Sequence, residues 1–275
     1  MKKVAIIGLG WVGLPLAQAL QANDWRVVGT KTTTDGVDAA RAVGIEAYPL
    51  TLTPELECAS EDLIQLMSES EALVILLPPS KVNVEQYVEA IETVVNCAVT
   101  YRVPKVIFTS STSVYGEQNG ELTEEAERKG STASARALIA AEQWLHQLPN
   151  ISVDILRLAG LVGEKRHAGR FLAGKIEVKG ANQPVNMVHQ DDVIDAILLL
   201  LQQPKGGHIY NLCAPIHPTR AEFYTHAAQS IGLVPPQFIE EESILDGKII
   251  NGNKICQELG FEYQYPNPSL MNMTL

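Results

Sequence analysis

Three glycines behind an apolar strand constrain this chain more than any other feature. The run Val4-Ala5-Ile6-Ile7 stops at Gly8, and Gly8-Leu9-Gly10-Trp11-Val12-Gly13 follows at the spacing G-x-G-x-x-G. A helical stretch, 14–20, begins at once. Strand, turn and helix in that order are the context in which this spacing cradles a dinucleotide. Each glycine has its own task. Gly8 permits the tight turn, Gly10 lets backbone approach a pyrophosphate, and Gly13 lets the helix lie close to the strand. The N–H groups opening that helix then face the phosphates. Trp11 and Val12, between the glycines, are expected cofactor contacts.

Strands and helices alternate along the chain. Short buried-type runs at 3–8, 26–30, 73–77, 105–110 and 152–158 predict strands of a parallel sheet covered on both faces. Apolar residues at helical spacing over 84–102 predict a helix that stops before Pro104, and 131–147, 191–203 and 219–231 read likewise. The fold class is α/β: a doubly wound parallel sheet, or Rossmann fold, with a small C-terminal substrate lobe. We place the dinucleotide domain at 1–160, continued by 188–212, and the lobe at 161–187 and 213–275. No linker-like segment separates them, which predicts one shared core.

The chain's 275 residues suit one nucleotide domain with an appended lobe. A net charge of −11 speaks against nucleic acid or an anionic membrane as partner. The four cysteines, Cys58, Cys97, Cys213 and Cys256, are scattered and predict core thiols; no metal site is expected. No apolar run is long enough to cross a bilayer, and the chain enters its first strand with no leader, so a cytoplasmic protein is expected. No signal fixes an oligomeric state.

The second strand ends Gly29-Thr30-Lys31-Thr32-Thr33-Thr34, with no carboxylate at its tip. An NAD site ordinarily places Asp or Glu there for the ribose 2′-hydroxyl. Lys31 between the hydroxyls of Thr30 and Thr32 suits a 2′-phosphate instead, so NADP is expected over NAD. A solvated turn with one lysine would read the same way. The strand at 73–77 ends Leu77-Pro78-Pro79, an apolar tip expected along the cofactor; a plain strand terminator explains the prolines equally well.

The opening segment resembles nucleotide-sugar dehydrogenases and β-hydroxyacid dehydrogenases over about twenty residues. The nucleophilic cysteine context of the first and the long helical second half of the second are missing, so neither is adopted. A second resemblance runs the length of the chain. Thr109-Ser110-Ser111-Thr112-Ser113-Val114-Tyr115-Gly116, Ile155-Leu156-Arg157-Leu158-Ala159-Gly160, Val188-His189-Gln190-Asp191-Asp192-Val193 and Gly207-His208-Ile209-Tyr210-Asn211 follow in the order of four motifs of the extended short-chain dehydrogenase/reductases, the NAD-dependent epimerase and dehydratase group. The short length and G-x-G-x-x-G spacing resemble its atypical branch.

This resemblance implies that Thr109 and Ser110 border the cofactor. It puts Ser111 where the catalytic hydroxyl sits, and His189 at a bridge between the lobes. It also exposes a gap. With Glu142 aligned, Ser134 and Leu138 occupy the positions of the family's catalytic Tyr and Lys. Tyr115 is the nearest substitute acid, with His167 or water as others; packing is its ordinary role. The loop 164–175 gathers Lys165, Arg166, His167, Arg170 and Lys175 in an acidic chain. Arg166, His167 and Arg170, together with His189, are expected to meet a small anionic substrate, free or nucleotide-linked; a solvated loop is the competing reading for the first three. Gly169 to Ile176 approaches a P-loop but lacks the closing hydroxyl, which makes a kinase-like activity the weakest reading. Two functions stay open: a reductase or nucleotide-sugar epimerase-like enzyme, and a dinucleotide-binding sensor without turnover.

Overall fold

The computed structural model describes residues 1–51, 57–79, 83–149, 151–239 and 247–275. In chain order the first half contains β1 (Lys3–Ile7), α1 (Gly13–Ala22), β2 (Arg26–Lys31), α2 (Thr34–Ala42), β3 (Glu46–Pro49), α3 (Ser60–Met67), β4 (Ala72–Ile75), α4 (Val84–Thr100) and β5 (Lys105–Ser111). Then follow β6 (Gly120–Leu122), α5 (Ala133–His146), β7 (Ser152–Leu158), β8 (Gly160–Val162), α6 (Gly169–Leu172), β9 (Met187–His189) and α7 (Gln190–Gln202). The chain closes through β10 (Ile209–Leu212), α8 (Arg220–Ser230), β11 (Lys248–Ile250) and α9 (Asn253–Leu259).

Seven strands form a parallel sheet in the order β10-β7-β5-β4-β1-β2-β3. Its central strands are buried along their length: every residue of β1 and β4 is enclosed. This is the doubly wound α/β fold that the strand and helix alternation predicts. Consecutive βαβ units need a crossover, and each crossover lays a helix on the sheet. The helices begin where local chemistry dictates. Asn83 and Gln86 form a reciprocal cap on α4, Thr219 and Glu222 do so on α8, and Thr132 accepts the Ala135 N–H at the start of α5.

The expected strands and helices are present, with ends that agree to within two residues. The strand expected to 77 stops at Ile75: the Leu76 N–H makes the last bond to β1, at the Ile7 carbonyl, and the prolines at 78 and 79 bring no N–H to a ladder. The reading passed over α2, α3 and β3, and in the second half over the short elements β6, β8, α6, β9, β11 and α9. Helix α2 has only Val37 and Ala40 buried, too thin a stripe to stand out; its start is fixed by Thr33, whose hydroxyl accepts the Gly36 N–H at 3.1 Å. Strand β3 is four residues long and shows no run of apolar residues.

The described chain divides into two compact units: Met1–Val114, Gly130–Leu156 and Ala196–Ile209 in the first, and Tyr115–Lys129, Arg157–Asp195 and Tyr210–Leu275 in the second. Segments 115–129, 157–160, 188–195 and 210–212 thus stand with the second unit, where the sequence boundaries had them in the first. The second unit has a hydrophobic cluster of its own, built on Val162, Val185, Met187, Phe223 and Ala227. No helix among the described residues is long and apolar enough to cross a membrane.

Candidate functional site

The glycine turn sits at the carboxyl end of β1. Gly8 has φ +104°, a conformation that L side chains rarely adopt. A Cβ on Gly13 would stand 2.1 Å from the Gly8 carbonyl oxygen, so only glycine lets α1 start this close to the strand. Thr30 holds the turn from β2. Its hydroxyl accepts the Gly8 N–H at 2.9 Å and its carbonyl accepts the Leu9 N–H at 2.8 Å, with the residue 1% exposed.

Gly10 is different. It is exposed, and a Cβ there would meet nothing within 4 Å, so packing within the protein does not explain it. Helix α1 has no side-chain cap and no acidic residue in its first turn, whereas Thr33, Asn83, Thr132 and Thr219 cap α2, α4, α5 and α8. A helix start of this kind suits an anion, which brings both acceptors and charge. Trp11 and Val12 are half-buried in the turn. These residues fit a dinucleotide pyrophosphate.

At the end of β2, Lys31 is half-buried and Thr32 exposed. The Thr33 hydroxyl is committed to α2, so Lys31 and Thr32 are the polar side chains left at this tip. At the ends of β4 and β5 the backbone is tied down. The Tyr87 hydroxyl donates to the Leu77 carbonyl at 2.8 Å; Pro78 is exposed; the Ser134 hydroxyl reaches the Pro79 carbonyl at 3.3 Å. Thr109 donates to the Ile75 carbonyl at 3.0 Å, joining β5 to β4. Ser110 donates to the buried carboxylate of Glu142 at 2.5 Å, pinning α5 on β5. Thr109 therefore holds two strands together, and Ser110 holds a helix to the sheet.

Ser111 is half-buried at the end of β5, and its oxygen accepts the Ser113 N–H at 3.1 Å. Its own O–H has no acceptor among the described residues, leaving a proton to give. Ser134 is exposed, while Leu138 is 4% exposed and belongs to the core. Arg136, two residues away, is exposed and donates to the Ser131 carbonyl.

In the second unit, Tyr115 differs from its expected role. It is fully buried, its hydroxyl donates to Asn211 Oδ1 at 2.6 Å and accepts from Arg157 Nη1 at 2.9 Å. Arg157 also donates to the Glu124 carbonyl, and Glu124 Oε1 accepts the Asn211 N–H at 2.7 Å. Burial raises the phenol's pKa, against the opposing pull of Arg157. A phenol so enclosed presents no proton to a ligand; it ties the segment 115–129 to β7 and β10. Sequence reasoning missed this network, although Arg157 and Asn211 both lie in motifs that it quoted.

His189 is likewise structural. It is 3% exposed, Nε2 lies 2.8 Å from the Asn272 carbonyl, Nδ1 accepts the Asp191 N–H at 3.2 Å, and the ring packs on Tyr265 at 3.9 Å between centroids. Both nitrogens are spent on the unit's own backbone, which removes it from the substrate-contact set. Arg166 and Arg170 are exposed, and His167 is buried with Nδ1 accepting the Gly169 N–H at 3.0 Å. The P-loop likeness has a packing explanation: a Cβ on Gly169 would stand 2.2 Å from the Ala227 carbonyl, so that glycine lets α6 touch α8.

Sheet order and turn together define a Rossmann-type α/β protein. The model of the NAD dependent epimerase/dehydratase family matches residues 4–213, and the chain belongs to that family. It is 56% identical over 273 residues to protein YeeZ of Escherichia coli K12, covering 98% of this chain and 99% of that protein. Solved structures share the fold. A functionally unknown conserved protein from Silicibacter pomeroyi superposes with a TM-score of 0.78 at 23% identity, over 98% of this chain and 96% of that one. MoeE5 in complex with UDP-glucose and NAD does so with a TM-score of 0.77 at 17% identity, over 97% and 95%.

Proposed function

We propose that this protein binds a nicotinamide dinucleotide, NADP in preference to NAD, at the Gly8–Gly13 turn and acts as a reductase or epimerase-like enzyme on a small anionic, nucleotide-linked substrate. The observation that carries the reading is Gly10, an exposed glycine with open space above it, beside a helix start with no cap. The turn would hold the pyrophosphate, and Lys31 with Thr32 the adenosine 2′-phosphate. The bound dinucleotide supplies a hydride acceptor or donor. Ser111 gives a hydrogen bond to the substrate oxygen whose proton is exchanged, and water carries that proton, since Tyr115 is enclosed. Family membership and the likeness to MoeE5, whose structure holds UDP-glucose and NAD, support the substrate class.

The test is titration with NADPH and NADH. Gly10→Val is expected to abolish binding without lowering stability, because its side chain enters open space rather than protein. Undiminished affinity in that variant would sink the reading. Turnover is tested with nucleotide-sugars: Ser111→Ala is expected to lose it while keeping dinucleotide affinity.

A second reading, a dinucleotide sensor without turnover, is favoured by one observation. The position of the family's catalytic lysine holds Leu138, which is packed into the core and offers no cation to lower a neighbouring pKa. Full dinucleotide affinity with no turnover on any nucleotide-sugar would decide for it.

A further inference from the structure

Gly36 stands inside a helix without a backbone reason. It lies in the first turn of α2, after the Thr33 cap, and has no left-handed φ. Glycine inside a helix is less favourable than alanine, because it has more freedom to lose. The space that a side chain would take is held by Lys31. A Cβ on Gly36 would stand 3.4 Å from both Cβ and Cδ of Lys31, and 3.0 Å from Thr33 Oγ1. The lysine stem therefore lies along the bare first turn of α2. A side chain at 36 would lean toward the helix N-terminus, onto that stem.

The backbone of Lys31 is fixed as well. Its carbonyl accepts the Leu50 N–H at 2.8 Å, which ties the last residue of β2 to the chain leaving β3. Its neighbour Thr30 bonds the Gly8 N–H, so the lysine and the glycine turn share one strand end. The Lys31 ammonium has no partner among the described residues. A lysine side chain carries much rotamer freedom, and ordering it on binding costs affinity. Packing the stem in the free protein removes that cost beforehand and leaves the ammonium as a point charge at the strand tip.

We propose that Gly36 is a positioning residue for cofactor choice: its missing side chain makes room for the Lys31 stem and holds the ammonium ready for a 2′-phosphate. The inference rests on Lys31 as the group that reads that phosphate. It adds that a larger residue at 36 shifts selectivity from NADP toward NAD, with no change at the glycine turn.

The test is titration of the full chain with NADPH and NADH, for wild type, Lys31→Ala, Gly36→Ala, Gly36→Leu and the double variant Lys31→Ala with Gly36→Leu. Gly36→Leu should weaken NADPH by about tenfold, the low end of what a charged hydrogen bond to phosphate contributes. NADH should stay unchanged, and Gly36→Ala should fall between wild type and Gly36→Leu. In the Lys31→Ala background, Gly36→Leu should have no further effect on NADPH, because the stem that it displaces is gone. A disturbed Thr33 cap would instead lower Tm and weaken both dinucleotides equally, with or without Lys31, and that pattern would overturn the proposal. If Lys31→Ala itself leaves NADPH binding intact, the reading of Lys31 fails and the positioning role with it. If Lys31→Ala weakens NADPH and Gly36→Leu does not, the positioning role alone fails.

Discussion

The hydroxyl of Thr30 accepts the backbone N–H of Gly8 at 2.9 Å, joining the tip of β2 to the turn after β1. An N–H left unsatisfied in a buried place costs about 1–3 kcal/mol. Thr30→Val keeps the shape and removes the acceptor. It should lower stability by about that amount and weaken dinucleotide binding, while Thr30→Ser restores both. Urea unfolding and NADPH titration read the two effects, and a valine variant unchanged in both would show the bond to be idle.

Lys31 stands beyond Thr30 on the same strand, with no carboxylate at the tip. A charged hydrogen bond to phosphate contributes roughly 1.5–3 kcal/mol, or about ten- to a hundredfold in affinity. Lys31→Ala should weaken NADPH by that factor and leave NADH nearly unchanged. Wild-type protein that prefers NADH at physiological salt would contradict the assignment.

Lys105 begins β5, is 8% exposed, and donates to the Leu200 and Gln203 carbonyls at 2.7 and 2.6 Å, which caps the end of α7. Its ammonium lies 3.9 Å from Oδ2 of Asp154, a buried oxygen with no hydrogen-bond partner among the described residues. Asp154 Oδ1 accepts the His208 N–H at 3.1 Å. Removing one member of a buried ion pair strands the other, at about 3–5 kcal/mol. Lys105→Met should lose that much by denaturant unfolding. Asp154→Leu added to it should cost less than the sum of the single changes; strict additivity would show that the pair does not interact.

Asp192 is fully buried; Oδ1 accepts the Gln264 N–H at 2.6 Å and Oδ2 has no partner among the described residues. Burial pushes its pKa up to about 6, overcoming the backbone N–H bonds and His189, which pull it down. The unfolded carboxyl titrates near its ordinary 3.8. A raised native pKa contributes stability that is complete below that lower value and is lost as pH rises to about 6, roughly 3 kcal/mol at most. Asp192→Asn keeps the acceptor for Gln264 and removes the titration. The stability difference, wild type minus variant, should fall between about pH 4 and 6 and then level off. A difference independent of pH would refute the shift.

The strongest local signals were legible in the chain itself. Gly8 and Gly13 behind an apolar run specify a turn because backbone geometry and packing tolerate nothing else there, Gly10 completes the spacing, and the parallel sheet follows from short buried runs between amphipathic helices. Helix starts at Asn83 and Thr132 are equally local, since a cap needs only its own next three residues. What the tertiary structure decided is which polar side chains are free. Tyr115 and His189 looked like candidates for chemistry, and each is consumed by partners far along the chain: Asn211 and Arg157 for one, Asn272 and Tyr265 for the other. The division of the chain into units was hidden for the same reason, because segment 115–129 is tied to Arg157 and Asn211, far along the chain. A hydroxyl or imidazole has the same composition whether it faces a ligand or a backbone carbonyl. Only the fold brings the distant acceptor to it, and burial then makes satisfying that group worth more than leaving it for a substrate.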